Sequence, residues 1–401
     1  MSHTPTVESN HAAGASRPFA VGTFNLENLA RAGVEFYPGE KWTDEQVRRK
    51  KAAFANILRS YRADVWVFQE VWDGGLLREV IAEAGMAPGF SLIESDQTRT
   101  NTPRVWLLAR AGIVARKVPM PSTMPAPVEI GDPEKDGSKL VVRVVEFERA
   151  PVVADIDIAG RTIRICGLHM KSKRPAYPKT ASMTVDGATI DFAPEDILPD
   201  LDPRSPPIGL LRSSVQRLAE AAAARRLVVD WIEREGRTVI VAGDLNDTPE
   251  AVSTQIIRGD TLRFSFLKPR DKLNPVTGQP YDNAAMASAV ARFEKVRFLD
   301  AAALFQERAR RDVFFTHIFG GDYATIDHIL LSRDLTALDA ADTLLRERYG
   351  IPERAPIGSL VYVNNVNDHL TDKDAGRPPD ASDRVVSDHG AVIAHLSIRQ
   401  A

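Results

Sequence analysis

The sequence predicts an α/β (α+β) protein in which two mostly antiparallel β-sheets pack face to face, with helices on the outside. Residues 104–168 are rich in strand-like segments that lie close enough together to form hairpins. Helical and strand-like segments mix along the chain without a strict βαβ rhythm, which favours antiparallel sheets. A chain of 401 residues, 44% of them hydrophobic, is long enough to bury the large core of such a fold.

Each element is predicted from the spacing of its apolar residues. An amphipathic helix spans 43–61, because apolar residues recur there at helical spacing and Thr43 and Gln46 are placed for a capping box. Two further helices are predicted at 74–84 and 209–234. In chain order the predicted strands are 19–26, 64–69, 104–109, 140–147, 151–158, 162–168, 238–242, 325–331 and 391–396.

The domain organisation follows from composition. Residues 1–17 are rich in Ser, His, Thr and Ala and are predicted to be a disordered segment, and 18–401 are predicted to form a single domain. Some stretches are too long to be ordinary connections and are expected to shape a substrate site. These predicted long loops are 119–137, 170–207 and 339–386.

Charge and cysteine content exclude several classes of protein. The formal net charge is -3, so the chain lacks the overall positive charge of a protein that binds nucleic acid mainly through that charge. Any anionic substrate must therefore be bound by a local group of residues. Cys166 is the only cysteine, which excludes an internal disulfide and a cysteine-cluster zinc site. No signal-peptide pattern and no apolar run of membrane-span length is visible, so we expect a cytoplasmic protein without an obligatory protein partner.

Polar side chains follow the apolar strands at several points where a strand ends. The strand at 238–242 runs into Gly-Asp-Leu-Asn-Asp-Thr-Pro, where Gly243 permits close backbone approach. Asp, Asn and Pro after a strand are ordinary turn formers, so one such ending carries little weight. Chance turn residues would not uniformly supply oxygen and imidazole groups, however. The residues in question are Asn25, Glu70, His169, Asp244, Asn246, Asp388 and His389.

In the last part of the chain, aspartates stand next to histidines in the sequence. Asp388 and His389 stand directly before the strand at 391–396. An aspartate is a ligand for hard cations, and a histidine exchanges protons near neutral pH, which suits His389 to general acid/base work. In the alternating strand at 325–331, Asp327 faces the inner side, where an acid could orient an imidazole.

Three basic residues follow the strand that ends in His169. Lys171, Lys173 and Arg174 are candidates for binding a second phosphate or a polynucleotide backbone. Basic residues in a loop are more often simply solvated. Both interpretations stay open at this point.

These candidate residues resemble, in their order along the chain and in the short motifs around them, the endonuclease/exonuclease/phosphatase superfamily that includes deoxyribonuclease I. The signals are a Gln-Glu strand end, then Gly-Asp-x-Asn, then an Ile-Asp strand and a final Ser-Asp-His, within residues 21–396. The resemblance implies a four-layer α/β sandwich with the site at one end. Position 169 is a histidine, whereas the abasic-site endonucleases of the superfamily have a tyrosine there. The motifs of this chain are more similar to those of bacterial nuclease-like members.

The resemblance also implies a cation and its ligands. Glu70 is expected to bind a divalent metal, with Asn25 and Asp388 in or near its coordination shell. Oxygen ligands of this kind suit Mg²⁺, with Mn²⁺ or Ca²⁺ as alternatives, rather than zinc.

The remaining residues receive catalytic roles from the same resemblance. Asp244 and Asn246 are expected to position or activate the attacking water. His389, held by Asp327, acts at the phosphate either as general base or as hydrogen-bond donor, and His169 contacts the phosphate from the other side.

The sequence thus predicts a divalent-metal-dependent phosphoester hydrolase that cleaves a P–O bond with activated water. The first hypothesis is a phosphodiesterase or nuclease that acts on DNA or RNA. A phosphatase or phospholipase-type hydrolase of the same fold, acting on a small phosphoester or a lipid head group, is the alternative. A binding module without activity is disfavoured, because every position of the set is filled.

Overall fold

The structure is a computed structural model that describes residues 15–86, 88–130, 142–177, 182–185, 188–191, 205–260, 278, 282–308, 314–319, 322–336, 346–347, 350, 355–370 and 386–401. The strands are β1 (Ser16–Leu29), β2 (Glu35–Tyr37), β3 (Glu40–Lys41), β4 (Val65–Val71), β5 (Ser91–Glu94), β6 (Arg104–Ala109), β7 (Val114–Val118), β8 (Thr123–Ile130), β9 (Val142–Glu146), β10 (Val152–Ile158), β11 (Arg161–His169), β12 (Ser182–Val185), β13 (Ala188–Asp191), β14 (Thr238–Asp244), β15 (Phe298–Asp300), β16 (His317–Phe319), β17 (Asp322–Ala324), β18 (Asp327–Ser332), β19 (Gly358–Val366) and β20 (Ala391–Arg399). The helices are α1 (Asp44–Ser60), α2 (Gly74–Glu83), α3 (Ser205–Glu233), α4 (Val252–Arg258), α5 (Asn283–Lys295) and α6 (Ala301–Arg308).

Two six-stranded sheets form the centre of the fold. The first has the order β19-β20-β1-β4-β6-β5 and the second the order β15-β18-β14-β11-β10-β7. In each sheet the two parallel neighbours lie near the middle, β1 with β4 and β11 with β14, and every other pairing is antiparallel. The predicted pair of mainly antiparallel sheets is confirmed.

Strand alternation builds the layers around these sheets. Val65 and Val67 of β4 enter the core between the sheets, which also contains Ile240 and Ala242 of β14. The residues between them in sequence point outward: Trp66 of β4 packs with α1 and α2, and the outer face of β14 packs with α3. The order helix, sheet, sheet, helix is the predicted four-layer sandwich.

The structure differs from the sequence prediction mainly within the predicted loops. The range 339–386 contains β19, an edge strand that pairs with β20 along its length. The range 170–207 contains the hairpin of β12 and β13, and 119–137 contains β8. The edge strand β19 exposes several of its side chains, so the apolar alternation that marks a buried strand is weak in it.

Other expectations are confirmed or stay predictions. The capping box of α1 is present, with Thr43 accepting from the Gln46 amide and Gln46 accepting in return. The predicted disordered segment 1–17 lies mostly outside the described residues, although β1 already begins at Ser16. The division into this segment and one domain stays a prediction.

None of the helices in the described segments has the length and apolar character needed to cross a bilayer. The cytoplasmic location also stays a prediction.

Candidate active site

The polar strand ends meet at one edge of the sandwich. Because β11 and β14 are parallel and β18 runs against them, the end of two strands and the start of the third lie together. The register pairs His169 with Asp244 and Asp244 with Asp327, so the three residues form a row across the second sheet. All three side chains are buried. The row continues the face that lines the core between the sheets.

The first sheet supplies residues that face this row. The Asn25 side-chain amide at the end of β1 donates to Asp244 Oδ2 at 3.1 Å and lies 3.4 Å from His389 Nε2. A Glu70 oxygen lies 3.8 Å from His169 Nε2. Residues separated by more than 200 positions are therefore in contact across the two sheets. The structure brings the predicted set together in one pocket.

The backbone around the pocket is strained. Within the described residues, four of the six non-glycine residues with positive φ belong to this region. Glu70, with a φ of 59°, lies where β4 loses register with β6 between Phe68 and Val71. Such conformations persist only where the surrounding structure enforces them, and they cluster at functional sites. The four residues are Glu27, Asn28, Glu70 and Asn246.

Gly243 allows β14 and β11 to approach each other closely next to this row of residues. A Cβ atom on Gly243 would lie 1.9 Å from the Leu168 carbonyl oxygen. Only glycine lets β14 approach β11 this closely just before Asp244, as the sequence predicted for this position.

His389 and Asp327 form a buried acid–imidazole pair. The distance between His389 Nδ1 and Asp327 Oδ2 is 2.8 Å. Burial lowers the pKa of His389, but the charges of Asp327 and Asp244 outweigh burial, so this pKa stands well above the ordinary histidine value. His389 is therefore an imidazolium at neutral pH. Its Nε2 points towards Asp244 Oδ2, 3.8 Å away.

Asp244 lies at the centre of the row and accepts several hydrogen bonds. The Asn246 backbone amide donates to Oδ1 at 2.7 Å, and the Asn246 side chain donates to Oδ2 at 3.2 Å. Burial raises the pKa of Asp244 to about 7, against the opposing charge of His389. A carboxylate with such a pKa can take up a proton at neutral pH.

His169 has the opposite electrostatic character from His389. Burial, with the nearby charge of Arg149, lowers the pKa of His169 well below the ordinary value, so the ring is neutral. Its Nε2 lies 3.5 Å from Asp244 Oδ2. Its Nδ1 is buried and has no hydrogen-bond partner among the described residues. A neutral ring with Nε2 in the pocket can donate a hydrogen bond without adding charge.

The donor set of the pocket fits a hard divalent cation. The second Glu70 oxygen accepts from the Asn28 amide at 3.0 Å, which fixes the carboxylate in place. Mg²⁺ commonly keeps several waters and uses one or two carboxylates, so Glu70 need not be joined by a full protein cage. The described acids and histidines also include two groups whose ligand atoms lie within 4.8 Å of one another. They are Asp244, Asp327 and His389, and His317, Asp388 and His389.

The three predicted phosphate-binding residues lie beside the pocket but have partners. Lys171 Nζ is 3.1 Å from a Glu148 oxygen, and Lys173 Nζ is 3.2 Å from Asp247 Oδ1. The Arg174 guanidinium lies over the Tyr37 ring, 5.3 Å from its centroid. A phosphate would have to compete with these contacts, and the binding role of the three residues stays a proposal.

Several residues near the pocket were missed by sequence reasoning. The Arg149 guanidinium donates to the Met170 carbonyl at 3.3 Å, and its charge reaches His169. Burial, followed by the Glu70 carboxylate, raises the pKa of Tyr37, which places this ring at the same pocket. The His317 ring lies 4.9 Å from the His389 ring, centroid to centroid. None of the three ends a strongly apolar strand, which was the signal used to find the others.

The chain is similar to one protein family over most of its length. The model of the endonuclease/exonuclease/phosphatase family matches residues 22–389. No curated protein sequence matches the chain. Similar solved structures include an endonuclease/exonuclease/phosphatase from Bacteroides vulgatus, which is 12% identical with a TM-score of 0.47 over 95% of this chain and 99% of that one. The human nocturnin catalytic domain with bound sulfate is 12% identical, with a TM-score of 0.47 over 95% of this chain and 93% of that one. TDP2 from C. elegans is 13% identical, with a TM-score of 0.46 over 97% of this chain and 78% of that one.

The three solved structures are too distant to assign a substrate. The family match, in contrast, covers nearly the whole chain and includes every residue of the pocket from Asn25 to His389. Members of this family hydrolyse phosphoesters and depend on divalent metals. The chain therefore belongs to the endonuclease/exonuclease/phosphatase family and is a phosphoester hydrolase.

Proposed function

We propose that this chain is a divalent-metal-dependent phosphodiesterase that acts on nucleic acid and cleaves a P–O bond with activated water. The observation that supports it most strongly is the row of His169, Asp244 and Asp327, with His389 Nε2 3.8 Å from Asp244 Oδ2. The row combines a carboxylate that can accept a proton with imidazoles on two sides. This combination can activate water and stabilise the charge that develops on an anionic ester.

Asp244 accepts the proton of the attacking water. The water oxygen forms the new bond to phosphorus while the bond from phosphorus to the leaving oxygen breaks. Asn246 and Asn25 donate to Asp244 Oδ2, which holds the carboxylate in one orientation. Because burial raises the pKa of Asp244 to about 7, the carboxylate is basic enough to take the proton and acidic enough to be partly ionised at neutral pH.

The two histidines stabilise the charge that builds up on the phosphate oxygens. His389, kept protonated by Asp327, donates from Nε2 to a phosphate oxygen. His169 donates from the other side as a neutral ring. Donors fixed in a buried pocket stabilise a developing negative charge without the cost of reorientation.

Glu70 holds the cation, with Asn25 and Asp388 in or near its shell, and Mg²⁺ is the proposed ion. When bound, the cation supplies charge neutralisation at a phosphate oxygen. The need for a positive ion follows from the charges of the pocket. His389, an imidazolium, faces three carboxylates, and a fourth carboxylate, Glu70, lies beside the neutral His169. The three are Asp244, Asp327 and Asp388.

The same charge balance favours a phosphodiester over a phosphomonoester. A diester carries one negative charge, whereas a phosphomonoester carries about −1.5 to −2 at neutral pH. The carboxylates of the pocket repel the second charge of a monoester in addition to its first. Arg149, Lys171, Lys173 and Arg174 lie beside the pocket, where they could contact further phosphates of a DNA or RNA strand.

A phosphatase or phospholipase-type activity on a small phosphoester or lipid head group is the second candidate. The ion pairs of Lys171 with Glu148 and of Lys173 with Asp247 favour it, because these lysines are not held ready for a polynucleotide backbone.

A substrate panel distinguishes the two. With Mg²⁺ or Mn²⁺, we expect nicking of supercoiled plasmid and hydrolysis of bis(p-nitrophenyl) phosphate, both abolished in His389→Ala, and slower turnover of p-nitrophenyl phosphate. Release of inorganic phosphate from monoesters without cleavage of plasmid or diester would overturn the proposal in favour of the second candidate. No metal-dependent turnover of any ester would overturn both.

A further inference from the structure

Three possible metal ligands lie together at the mouth of the pocket. The His317 Nε2 atom is 4.0 Å from Asp388 Oδ2, and the His389 Nε2 atom is 3.9 Å from Asp388 Oδ1. All three ligand atoms lie within 4.8 Å of one another. The Asp388 side chain is 38% exposed and that of His317 is 17% exposed, so an ion can enter from solvent. This cluster combines two imidazoles with one carboxylate.

Backbone contacts hold the two histidines in place. His317 and His389 form an isolated antiparallel bridge. The Gly390 amide donates to the Thr316 carbonyl at 2.6 Å, directly beside this bridge. The two rings therefore lie side by side because their backbones are paired, and the arrangement does not depend on the rotamer of one long side chain.

The surroundings of His389 are those of a zinc ligand. Histidines that bind zinc usually donate the other ring N–H to a carboxylate, which fixes the ring and makes the ligating nitrogen more basic. Asp327 Oδ2, 2.8 Å from His389 Nδ1, is such a carboxylate. The Nε2 atom that faces Asp388 and His317 is then the one that binds the metal, after giving up its proton.

Asp388 is proposed to lie near the cation at Glu70 as well, but the two imidazoles give this cluster a different donor type. Imidazole nitrogen suits Zn²⁺, whereas Mg²⁺ takes oxygen ligands. Three protein ligands with one open position are the usual arrangement for an accessible zinc site. Zinc bonds of about 2.1 Å require the ligand atoms to stand somewhat closer than they do here, so binding of zinc has to draw the exposed Asp388 side chain inward.

We propose that His317, Asp388 and His389 form a Zn²⁺ site, and that zinc bound there blocks hydrolysis because it occupies the His389 nitrogen that would otherwise contact the phosphate. Binding of zinc does not depend on the proposed function, but the inhibition rests on it. None of the proposed steps of hydrolysis uses His317. Its removal should abolish the effect of zinc and leave the Mg²⁺-dependent reaction in place.

The test is a titration with zinc in saturating Mg²⁺, in which the full chain, without an affinity tag, competes for zinc with a chromophoric chelator. We expect one zinc ion per chain, bound at least about tenfold more weakly in His317→Phe, which keeps a ring beside His389 but removes the ligand. His317→Gln is the second variant, in case the phenylalanine disturbs folding. His395→Gln is the matched control, because His395 is half-buried on β20 and pairs with Asn364 away from the pocket.

The outcomes are distinguishable. Equal zinc affinity in wild type and in both His317 variants would overturn the site, as would an equal loss of affinity in His395→Gln. In hydrolysis of bis(p-nitrophenyl) phosphate, zinc should inhibit the wild type and His395→Gln, and the His317 variants should need at least about tenfold more zinc. If no ester is hydrolysed at all, the proposed function fails, while the chelator titration still decides the zinc site.

Discussion

Asp244 is the residue on which the proposed chemistry depends most. Asp244→Asn keeps the size of the side chain but cannot accept the proton of water. We expect kcat to fall by about 100-fold or more, which is typical of a lost general base. The melting temperature should not fall, because the variant removes a buried carboxylate whose burial opposes its charge. Asp230→Asn, at a half-exposed position of α3 where the side chain pairs, among the described residues, only with Arg234 one turn on, is the control for both measurements.

The pH dependence of kcat/KM on a diester tests the paired roles of Asp244 and His389. Activity should rise as the pH passes about 7, where Asp244 loses its proton, and should fall at higher pH, where His389 loses its own. The Asp327 charge is a main cause of the raised pKa of His389. In Asp327→Asn the descending limb should therefore move to lower pH. A descending limb at the same pH in wild type and variant would contradict this account.

Sequence patterns found the residues that end buried strands and missed those that reach the pocket from elsewhere. Asn25, Glu70 and Asp244 each follow an apolar run, and that signal is local. His317 follows only a short apolar run, 313–315, which was not predicted as a strand, and it reaches His389 through the bridge between two distant segments. The pairing of Lys171 with Glu148 was equally hidden, because it joins residues 23 positions apart.

At the scale of elements, the contact of β11 with β14 positions the row of the second sheet. Gly243→Ala would bring a Cβ atom to 1.9 Å from the Leu168 carbonyl oxygen and force the strands apart beside Asp244. We expect a loss of about 3 kcal/mol or more in the free energy of unfolding, measured with urea, together with lower activity.

Gly236→Ala is the comparison for that experiment. Gly236 also has a positive φ, but nothing lies within 4 Å of the position that its Cβ atom would take. It should lose only about 1–2 kcal/mol, the conformational cost of an L-residue in this region. Equal losses in the two variants would mean that the close approach at Gly243 has no special importance.

Helix α1 is tied to the pocket through a buried ion pair. Lys50 Nζ lies 3.2 Å from Glu27 Oε2 and also donates to the Val386 carbonyl, and both partners are within three residues of pocket side chains. Lys50→Met leaves the Glu27 carboxylate buried without this cation, and we expect a loss of about 3–5 kcal/mol in urea unfolding. The double variant Lys50→Met, Glu27→Gln should recover much of that loss. A double variant as unstable as the single one would show that the charge of Glu27 is not the cause.

Element prediction succeeded where burial is high on both faces. The strand at 104–109 matches β6 residue for residue, and 64–69 differs from β4 by two residues or fewer at each end. The strand β19 was missed, because its outward residues, among them Val361 and Tyr362, are exposed apolar groups that blur the alternation. Pairing with β20, rather than local pattern, defines that edge strand.

At the scale of the whole molecule, the pocket exists because two sheets face each other. Asn25 comes from one sheet and Asp244 from the other, and their hydrogen bond crosses the interface between the sheets. Apolar packing between the inner faces therefore determines the geometry of the polar groups at the edge. The sequence predicted the sandwich from its strand content, but pairing order and register follow from contacts between distant segments, which local patterns do not encode.

The central claim is that one pocket, assembled from both sheets, hydrolyses phosphodiesters with a cation held by Glu70. The most direct test is the Mg²⁺ dependence of bis(p-nitrophenyl) phosphate hydrolysis in wild type and in Glu70→Gln. We expect the wild type to be inactive without Mg²⁺, and the variant to need at least about tenfold more Mg²⁺ for half-maximal activity, because a neutral amide is a weaker ligand than a carboxylate. Identical Mg²⁺ curves with equal maximal rates would contradict the account.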